Sequence, residues 1–513
     1  MPVWVVSARE SAERDRAAIN NGTPSRALMQ RAGNAAAAEI VRRYGNRLHD
    51  GAVVFTGPGN NGGDGWVVAG SLARADVRVS MIEVGQPDPR KSPDAVAERD
   101  AAMSLVNTAT SDASGGVVVD ALLGTGFEGE PRGEISGAIS KINALRTKGA
   151  RVVALDVPSG LNATDGKHST CVIADLTTSF GGVKRGTLLA RDCCGEIVVL
   201  DIGLEKSPTA PLTANGLPQL IRSEWVFSRV PPIRYDAHKG TRKHLAFVGG
   251  GPGMPGAVVL GARAALRSGI GLVRTLVSPD NTGAVLSAVP SALNSRWPEG
   301  DDQLKSEIAT WADAVVIGPG LGKSAEAREL VERMIRGSDL PLLLDADALN
   351  VFSGDAASLA KLLLGKRALV TPHVAEFGRL MGTSPEKVLA NRFDIGTELA
   401  QTLGAIVLLK GSPTVIFSPN GDRLVIARGS AALGTGGSGD ILAGIAGTLL
   451  AQMEDVTDAA ACAAWIHGRA AELCGYVRGT TLEDVLYALP RAWNEPEQAH
   501  EPPVMAVLPA VAR

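Results

Sequence analysis

The sequence predicts an α/β protein of two three-layer domains, each built on a largely parallel sheet. Short β-branched runs alternate with helix-like segments along most of the chain, which is typical of parallel sheets. Many of these runs end in glycine-rich loops, and 60 of the 513 residues are glycine. A stretch rich in Pro, Ser, Thr and Ala at residues 205–220 interrupts the pattern. We therefore expect one domain at residues 1–208 and another at residues 222–495.

Composition excludes several classes of protein. With 51 basic and 54 acidic residues and 4% aromatic content, the chain has neither a general attraction to nucleic acid nor base-stacking platforms. No apolar run is long enough to span a membrane, and the first residues do not resemble a signal peptide. The five cysteines lack zinc spacing, and a bridge between adjacent Cys193 and Cys194 would be strained. We expect a cytoplasmic, homo-oligomeric enzyme with reduced thiols and a small-molecule substrate, and with no nucleic-acid or membrane partner.

The first domain begins with residues 3–50, whose alanines, arginines and spaced apolar residues predict helices. AVVFT then predicts a strand, NNGGDG a loop, WVVAGSLARA a helix and VRVSMIEV a second strand, which together form a βαβ unit. Further strands are predicted in GVVVDA, ARVVALD, DLTTSF and EIVVLDIGL.

The second domain shows the same alternation of strands, loops and helices. The two halves of the chain nevertheless have no repeat period that can be aligned. Its predicted strands lie in HLAFVGG, GLVRTLV, AVVIG, PLLLDA, RALVT and AIVLLKG. A hairpin is predicted in TVIFSPNGDRLVIARG, because Asn420-Gly421 between two β-rich runs is a strong turn signal.

Three polar segments of the first domain follow strands, and ligands bind at the carboxyl edge of parallel sheets. The first is Asn60, Asn61, Gly62, Gly63 and Asp64, which alone also fits a simple tight turn. Asp120 ends another strand and suits a cation. Asp156 ends a third and is followed by Pro158, Ser159 and Gly160, which makes it a candidate acid–base group.

The strongest candidate site in the second domain is GTGGSGD, residues 434–440, followed by an apolar helix. Gly436, Gly437 and Gly439 permit a tight turn with exposed N–H groups, and a helix N-terminus attracts phosphate. Asp440 would either cap that helix or act as a base beside a bound phosphate. We favour the base.

Other residues of the second domain leave two interpretations open. Lys410, before Gly411, Ser412, Pro413 and Thr414, is either a solvated strand-end lysine or a nucleotide contact. His373 follows Thr371-Pro372, which resemble an N-cap and first helical residue, so the histidine is either a surface group or a substrate contact. Asp345 and Asp347 fit simple helix caps and are left out of the predicted site.

Residues 1–205 resemble the NAD(P)H-hydrate epimerase family through PSRALMQRAGNAAA, GPGNNGGDG, DALLGTGF, DVPSGLNATDG and DCCGEIVVLDIGL. The resemblance implies a Rossmann-like domain that interconverts R and S NADHX or NADPHX, nicotinamide cofactors hydrated at C6. It also implies a hydrate site and a potassium ion held by Asn61, Asp120 and Ser159. The implied hydrate contacts are Asn60, Asn61, Gly62, Gly63, Asp64, Gly124, Thr125, Gly126, Phe127, Glu128, Gly129, Glu130 and Asp156.

Residues 235–475 resemble the NAD(P)H-hydrate dehydratase family, within the ribokinase-like folds, through HKGTRKHLAFVGG, GPGLG, DADALN, TPHVAEFGRL, LLKGSPTVI and GTGGSGDILAGI. The resemblance implies that ADP or ATP, with Mg²⁺, phosphorylates the hydroxyl before phosphate is eliminated. It makes Asp440 the base and Glu376 a magnesium or phosphate neighbour. The implied substrate contacts are Ala257, Gly320, Gly322, His373 and Asp440, and the implied nucleotide contacts are Lys410, Gly411, Ser412, Pro413, Thr414, Gly436, Gly437 and Gly439.

One segment departs from that family. Thr241, Arg242, Lys243 and His244 stand where members carry a glycine and an aromatic or small residue, in a loop expected to cover the active site.

The resulting hypothesis is a repair enzyme that epimerises the hydrates and dehydrates the S form. One alternative is a ribokinase-like kinase of a vitamin-precursor alcohol, which would leave residues 1–205 unexplained. Another is a nucleotide-binding regulatory or scaffold protein whose N-terminal half has lost catalysis, and the retained Asp156 and Asp440 argue against it.

Overall fold

The structure is a computed structural model that describes residues 1–108, 115–204, 216–497 and 500–511. The chain divides into two compact units. Unit one comprises Met1–Gln219 together with the C-terminal segment Ala499–Val511, and unit two spans Leu220–Gln498. The boundary at residue 219 falls inside the Pro-rich stretch, while the C-terminal segment of unit one lies beyond the two predicted domains.

The strands are numbered β1–β20 in chain order. They are β1 Val3–Val6, β2 Ala52–Thr56, β3 Val79–Glu83, β4 Asn107–Thr108, β5 Val117–Ala121, β6 Arg151–Leu155, β7 Leu176–Phe180, β8 Val183–Lys184, β9 Glu196–Leu200, β10 Gln219–Leu220, β11 His244–Val248, β12 Leu272–Val277, β13 Leu293–Arg296, β14 Ala314–Ile317, β15 Leu342–Leu344, β16 Ala368–Val370, β17 Ile406–Leu409, β18 Thr414–Phe417, β19 Arg423–Ile426 and β20 Val504–Leu508.

The helices are numbered α1–α20 in the same way. They are α1 Ala8–Asn20, α2 Ser25–Tyr44, α3 Asn60–Arg74, α4 Pro93–Ala102, α5 Gly133–Thr147, α6 Arg185–Leu189, α7 Arg191–Cys194, α8 Ser223–Phe227, α9 Pro255–Arg267, α10 Thr282–Ala288, α11 Asp301–Leu304, α12 Ala325–Arg336, α13 Asp347–Asn350, α14 Ala356–Leu363, α15 Val374–Met381, α16 Pro385–Ala390, α17 Gly396–Leu403, α18 Ser438–Gln452, α19 Val456–Leu473 and α20 Leu482–Asn494. No helix among the described residues is long and apolar enough to cross a membrane.

The main sheet of unit one has the strand order β20-β9-β7-β6-β5-β2-β3-β4. Its pairs are parallel except that of β20 with β9. Alternate residues of each strand enter opposite cores: Val54 packs in the cluster with Ile40 and Trp66, and Val53 in the cluster with Ile139. The three-layer arrangement predicted for this part of the chain is therefore confirmed.

The sheet of unit two runs β13-β12-β11-β14-β15-β16-β17-β18-β19. Its strands are parallel from β13 to β17, and β17, β18 and β19 pair antiparallel. β18 and β19 form the predicted hairpin, with Gly421 at φ 96° in its turn. Trp465 and Phe247 belong to the large core that α9, α18 and α19 share with this sheet.

The prediction of helices throughout residues 3–50 is wrong at its start. Val3–Val6 form β1, which pairs in parallel with β8, and only then do α1 and α2 follow. The run VWVV is β-branched and aromatic, so its local preference for a strand prevails over the helical pattern that comes after it.

Candidate active sites

The first candidate site lies at the carboxyl edge of the unit-one sheet, where β2 runs through three residues into α3. The predicted loop Asn60–Asp64 is instead the first turn of α3, with Gly59 as N-cap. Glycine is required there because a Cβ at Gly62 would lie 2.0 Å from the carbonyl oxygen of Gly57. The helix therefore begins tight against the strand end, with its unpaired N–H groups at the sheet edge.

Asn61, Asp120 and Ser159, the cation set, converge beside this helix end. Asp120 in β5 is fully buried, and its carboxylate accepts hydrogen bonds from the Ser159 hydroxyl at 2.6 Å and the Ser159 N–H at 2.8 Å. The Asn61 amide donates to the Leu123 carbonyl at 2.9 Å, and the Leu123 N–H donates to the Ser159 hydroxyl at 2.9 Å. The structure thus brings together the three residues predicted to hold a cation.

The donor set fits a cation such as K⁺. Asn61 Oδ1 is buried and has no hydrogen-bond partner among the residues that the structure describes. Burial raises the pKa of Asp120 to about 6, because the carboxylate has no water to stabilise its charge. Carboxylate, amide and hydroxyl oxygens are ligands for hard cations, and a bound cation would stabilise the ionised form of Asp120.

Asp156 occupies a strained position directly after β6, with φ 66°. Its Oδ1 accepts a hydrogen bond from the Phe180 N–H at 3.0 Å and forms a close ion pair with Lys184. The Lys184 side chain is 1% exposed and also donates to the Phe180 carbonyl at 2.9 Å. A strained residue held by a buried cation is typical of a functional site.

Two further carboxyl groups share this charge environment. Burial raises the pKa of Asp64 well above its usual range, and the charges of Asp156 and Asp15 raise it further. The pKa of Asp15 in α1 is raised as well, first by burial and then by Asp156, against the lowering effect of Lys184. The site therefore contains a carboxyl group with a raised pKa, Asp64, near a lysine-paired carboxyl group, Asp156.

Lys184 and Asp15 were not predicted. Lys184 could have been found, because a lysine in the apolar run FGGVKRG after a strand is unusual. Asp15 lies on an ordinary amphipathic helix and carries no local signal.

The predicted loop Gly124–Glu130 meets the site at one end. A Cβ on Gly124 would lie 3.2 Å from the Asn61 Cβ, and the Phe127 N–H donates to the Gly124 carbonyl at 3.2 Å. Thr125 and Phe127 are half-buried, and Gly126, Glu128, Gly129 and Glu130 are exposed. This loop therefore forms a rim beside Asn61.

The second candidate site lies at the carboxyl edge of the unit-two sheet. Asp345 follows β15, His373 follows β16 and Lys410 follows β17. Lys410 Nζ lies 2.6 Å from Asp345 Oδ1 and 3.8 Å from Glu376 Oε2. Burial lowers the pKa of Lys410, but the two carboxylates outweigh burial and raise it overall. The lysine is therefore a fixed cation and not a solvated surface group.

Asp440 lies in the first turn of α18, whose N-cap is Gly437 at φ 99°. The charges of Asp440 and Lys410 act on each other, and a Cβ on the neighbouring Gly439 would lie 3.4 Å from Lys410 Nζ and 3.7 Å from Asp345 Oδ2. Burial, assisted by the charges of Asp345 and Asp347 and opposed by Lys410, raises the pKa of Asp440 to about 7. A carboxyl group with a pKa near neutrality is suited to act as a general base.

His373 is the N-cap of α15, and the prediction that Thr371 and Pro372 begin this helix is wrong. The ring Nδ1 accepts hydrogen bonds from the N–H groups of Ala375 and Glu376, and Glu376 returns a bond to the His373 N–H at 2.9 Å. Because Nδ1 accepts these bonds, the ring proton lies on Nε2, 3.3 Å from Glu376 Oε1, and burial lowers the pKa of His373. Glu376 therefore connects the histidine to Lys410, which lies 3.8 Å from Glu376 Oε2.

The predicted substrate contacts Ala257, Gly320 and Gly322 lie on two adjoining segments. A Cβ on Gly320 would lie 3.1 Å from the Cβ of Ala257, in the first turn of α9. The Gly322 N–H donates to Asp347 Oδ2 at 2.9 Å. The charge of Asp347 in turn raises the pKa of Asp440, so these small residues lie next to the carboxylates that surround Asp440.

Asp345 and Asp347, left out of the predicted site, are therefore part of it. Asp347 does begin α13, but Asp345 is 2% exposed and pairs with Lys410. The strand-end position that singled out Asp120 and Asp156 would also have indicated Asp345.

Lys410 is followed by the segment Gly411, Ser412, Pro413 and Thr414. The side chain of Arg392 packs against this segment. The buried Arg392 guanidinium donates to the carbonyl oxygens of Lys410 at 3.3 Å and Pro413 at 3.0 Å. Gly411 has φ 149°, and a Cβ there would meet that guanidinium. Arg392 thus holds the backbone of this segment at two points, which favours a binding role.

The expectation that Thr241–His244 covers the active site is wrong. Thr241–Lys243 precede β11 and His244 begins it, whereas the site follows the carboxyl ends of the neighbouring strands. Lys243 and the His244 N–H bind Asp313, which precedes β14 at the same amino-terminal edge. Thr241–Lys243 line a separate cavity of about 320 Å³ with Ile233, Asp236 and Gln452.

Comparison with known proteins matches both units. A family described as NAD(P)H-hydrate dehydratase matches residues 245–490, and one described as YjeF-related protein N-terminus matches residues 25–186. The bifunctional NAD(P)H-hydrate repair enzyme Nnr of Coxiella burnetii is 36% identical over 90% of this chain and 93% of its own length. The Escherichia coli enzyme of that name is 33% identical over 96% and 94%. A crystal structure of the ADP/ATP-dependent NAD(P)H-hydrate dehydratase from Bacillus subtilis, co-crystallised with ATP/Mg²⁺, is 28% identical, covers 54% of this chain and 97% of its own, and has a TM-score of 0.47.

Proposed function

This chain belongs to the family of bifunctional NAD(P)H-hydrate repair enzymes, and from that premise we propose how its residues carry the family's two reactions. Unit one contains the epimerase and unit two the dehydratase, which together return NADHX and NADPHX to the intact cofactor. One observation carries the assignment of residues: each unit holds a carboxylate paired with a lysine at the carboxyl edge of its parallel sheet.

In the epimerase, Asp64 and Asp156 act as an acid and a base. The ring nitrogen of the hydrate expels the C6 hydroxyl, which takes a proton from the carboxyl group of Asp64, whose pKa is raised by burial. Water then adds to the other face of the planar ring, and its proton passes to the carboxylate of Asp156. Lys184 pairs with Asp156 and orients its carboxyl group for this role. The C6 centre is inverted, and no atom is gained or lost.

The cation set would hold K⁺ through Asn61, Asp120 and Ser159, and the ion would supply a fixed positive charge next to the site. Asn61 shares the first turn of α3 with Asp64, so the cation set also fixes the helix end that presents the acid. The rim of residues 124–130 would contact the hydrate.

In the dehydratase, Asp440 removes the proton of the C6 hydroxyl as that oxygen attacks the terminal phosphoryl group of ADP or ATP. The N–H groups of Gly436, Gly437 and Gly439 face the transferring group at the N-terminus of α18, and Lys410 balances its charge. Phosphate is a far better leaving group than hydroxide, so the ring nitrogen can expel it. Loss of a proton from C5 then completes the dihydropyridine ring.

Asp345 and Glu376 supply buried carboxylate oxygens beside Lys410, a donor set that fits Mg²⁺. The ion would neutralise the nucleotide phosphates. The supported segment Lys410–Thr414 would hold the nucleotide, and Ala257, Gly320, Gly322 and His373 would contact the hydrate.

The test uses purified protein and a mixture of R and S NADHX with K⁺, Mg²⁺ and ADP, then ATP, and follows the absorbance of recovered NADH. We expect complete recovery by the wild type. Asp440→Asn should abolish it, and Asp156→Asn and Asp64→Asn should slow only the R portion, by about 100-fold.

The matched controls are Asp100→Asn in unit one and Asp339→Asn in unit two, both exposed carboxylates outside the sites. No recovery with either nucleotide, or equal loss in the controls, would refute the assignment.

A further inference from the structure

Unit one contains a second cluster of chemically reactive side chains, separate from the epimerase residues. It consists of His168, Cys171 and Cys193, whose ligand atoms all lie within 4.8 Å of one another. Cys171 Sγ lies 3.3 Å from Cys193 Sγ, and Cys193 Sγ lies 3.5 Å from His168 Nε2. The cysteines are 22 positions apart, which is why the sequence showed no zinc spacing.

The histidine is oriented as a metal ligand would be. His168 Nδ1 lies 2.9 Å from the Gly166 carbonyl oxygen, to which it can only donate. The ring is thereby fixed in the tautomer whose Nε2 carries a lone pair, and this atom faces Cys193. A backbone carbonyl on the far nitrogen is the usual partner of a metal-binding histidine.

The distances fit zinc better than a disulfide. Zinc bonds of about 2.3 Å to sulfur and about 2.1 Å to nitrogen place tetrahedral S and N ligands about 3.5 Å apart, as found here for Cys193 and His168. Two thiolates on the same ion lie about 3.8 Å apart, so the cysteines need to open only slightly. A disulfide would require the sulfurs to approach by more than about 1 Å.

We propose that His168, Cys171 and Cys193 bind Zn²⁺ through one imidazole and two thiolates. Both thiol protons are released when the ion binds. The cysteines are buried and His168 is exposed, so solvent reaches the proposed site from the side of the histidine. Two thiolates and an imidazole favour zinc over Mg²⁺ or K⁺, which prefer oxygen ligands.

The proposed site is linked to the cation set through the backbone. The Val172 N–H, next to Cys171, donates to the Ser159 carbonyl at 2.9 Å, and Asn143 Nδ2 donates to the Cys171 carbonyl at 2.9 Å. Zinc would thus join Cys171, whose neighbour Val172 is hydrogen-bonded to Ser159, to Cys193 in α7. Occupancy should raise the temperature at which epimerase activity is lost.

The test begins with full-length protein that has been reduced, stripped of metal with a chelator and dialysed. Zn²⁺ is titrated against a chromophoric chelator, and Co²⁺ serves as a spectroscopic substitute. We expect one Zn²⁺ per chain and a thiolate-to-cobalt charge-transfer band. Cys171→Ser or Cys193→Ser should weaken zinc binding by about 100-fold and remove the band, and His168→Gln should weaken it by about 10-fold.

Cys474→Ser is the matched control, since Cys474 is a half-buried thiol of unit two, and it should leave zinc binding unchanged. His168 is exposed, so His168→Gln keeps the test valid if a cysteine variant fails to fold. Wild-type binding no tighter than that of Cys171→Ser and His168→Gln would overturn the proposal, as would a Cys171–Cys193 disulfide in freshly purified protein.

Discussion

At the scale of the residue, each site contains a carboxyl group whose pKa is raised above its ordinary value. Burial and Asp345 raise the pKa of Asp440 to about 7, and burial with Asp156 raises that of Asp64. In each case a lysine nearby opposes the shift, and Asp440 can exchange a proton near neutral pH. Such paired environments are characteristic of acid–base catalysis.

The dehydratase rate should therefore depend on the ionisation of Asp440. A base must be deprotonated, so log kcat/KM with S-NADHX should rise with pH and level off above about pH 7. Asp345→Asn removes a negative charge that raises the pKa of Asp440, and should move the break to lower pH. The measurement is a pH–rate profile for both proteins.

Asp339→Asn, at a fully exposed carboxylate of the same unit, is the control for this profile and should keep the wild-type break. A wild-type rate that does not change through pH 7, or a break that stays in place in Asp345→Asn, would contradict the role of Asp440.

At the scale of the element, helix N-termini at strand ends build both sites. The sequence predicted the central strands of both sheets, the hairpin and the position of these junctions, because β-branched runs followed by glycine are a local signal. It did not predict the short or edge strands β1, β4, β8, β10, β13 and β20. It placed residues 60–64 in a loop, because glycine has low helix propensity, although α3 needs glycine there for close approach to Gly57.

Contacts that join distant segments could not be predicted in the same way. Lys184 reaches Asp156 across 28 positions and Lys410 reaches Asp345 across 65, so only the folded sheet brings these charges together. The resemblance supplied the site residues that a family shares, but not the partners that hold them.

The first turn of α18 gives a test at this scale. Gly439→Ala is compatible with the helix, but its Cβ would lie 3.4 Å from Lys410 Nζ and occupy space beside Asp440. We expect kcat/KM for the nucleotide to fall by about 10-fold or more with little change in Tm.

Gly283→Ala, in α10 with no atom within 4 Å of the added Cβ, is the matched helix control. Unchanged kinetics in Gly439→Ala would indicate that this turn does not meet the nucleotide.

At the scale of the whole molecule, two units in one chain allow either epimer of the hydrate to be repaired by a single protein. Each unit has its own sheet, core and site. They are not consecutive in sequence, because β20 pairs antiparallel with β9 at the edge of the unit-one sheet.

This arrangement predicts that a change near the C-terminus impairs the epimerase and not the dehydratase. Ala506 in β20 is 2% exposed, and Ala506→Asp would bury a charge against β9. We expect unit one to lose on the order of 2–4 kcal/mol of stability. Repair of R-NADHX should lose heat resistance, while dehydration of S-NADHX should keep it.

The same substitution at Ala510, which is exposed beyond β20, is the matched control. Equal loss of both activities in Ala506→Asp, or equal loss in Ala510→Asp, would contradict this assignment of β20.

The position of β20 also bears on how the protein is made. On the ribosome, β9 is synthesised before the whole of unit two, and β20 only afterwards. Throughout that interval the edge of β9 offers unpaired backbone groups, the kind of edge at which chains aggregate. The epimerase unit can therefore complete its sheet only after β20 has been synthesised. A ribosome that stalls within unit two would leave the edge of β9 exposed to chaperones or proteases.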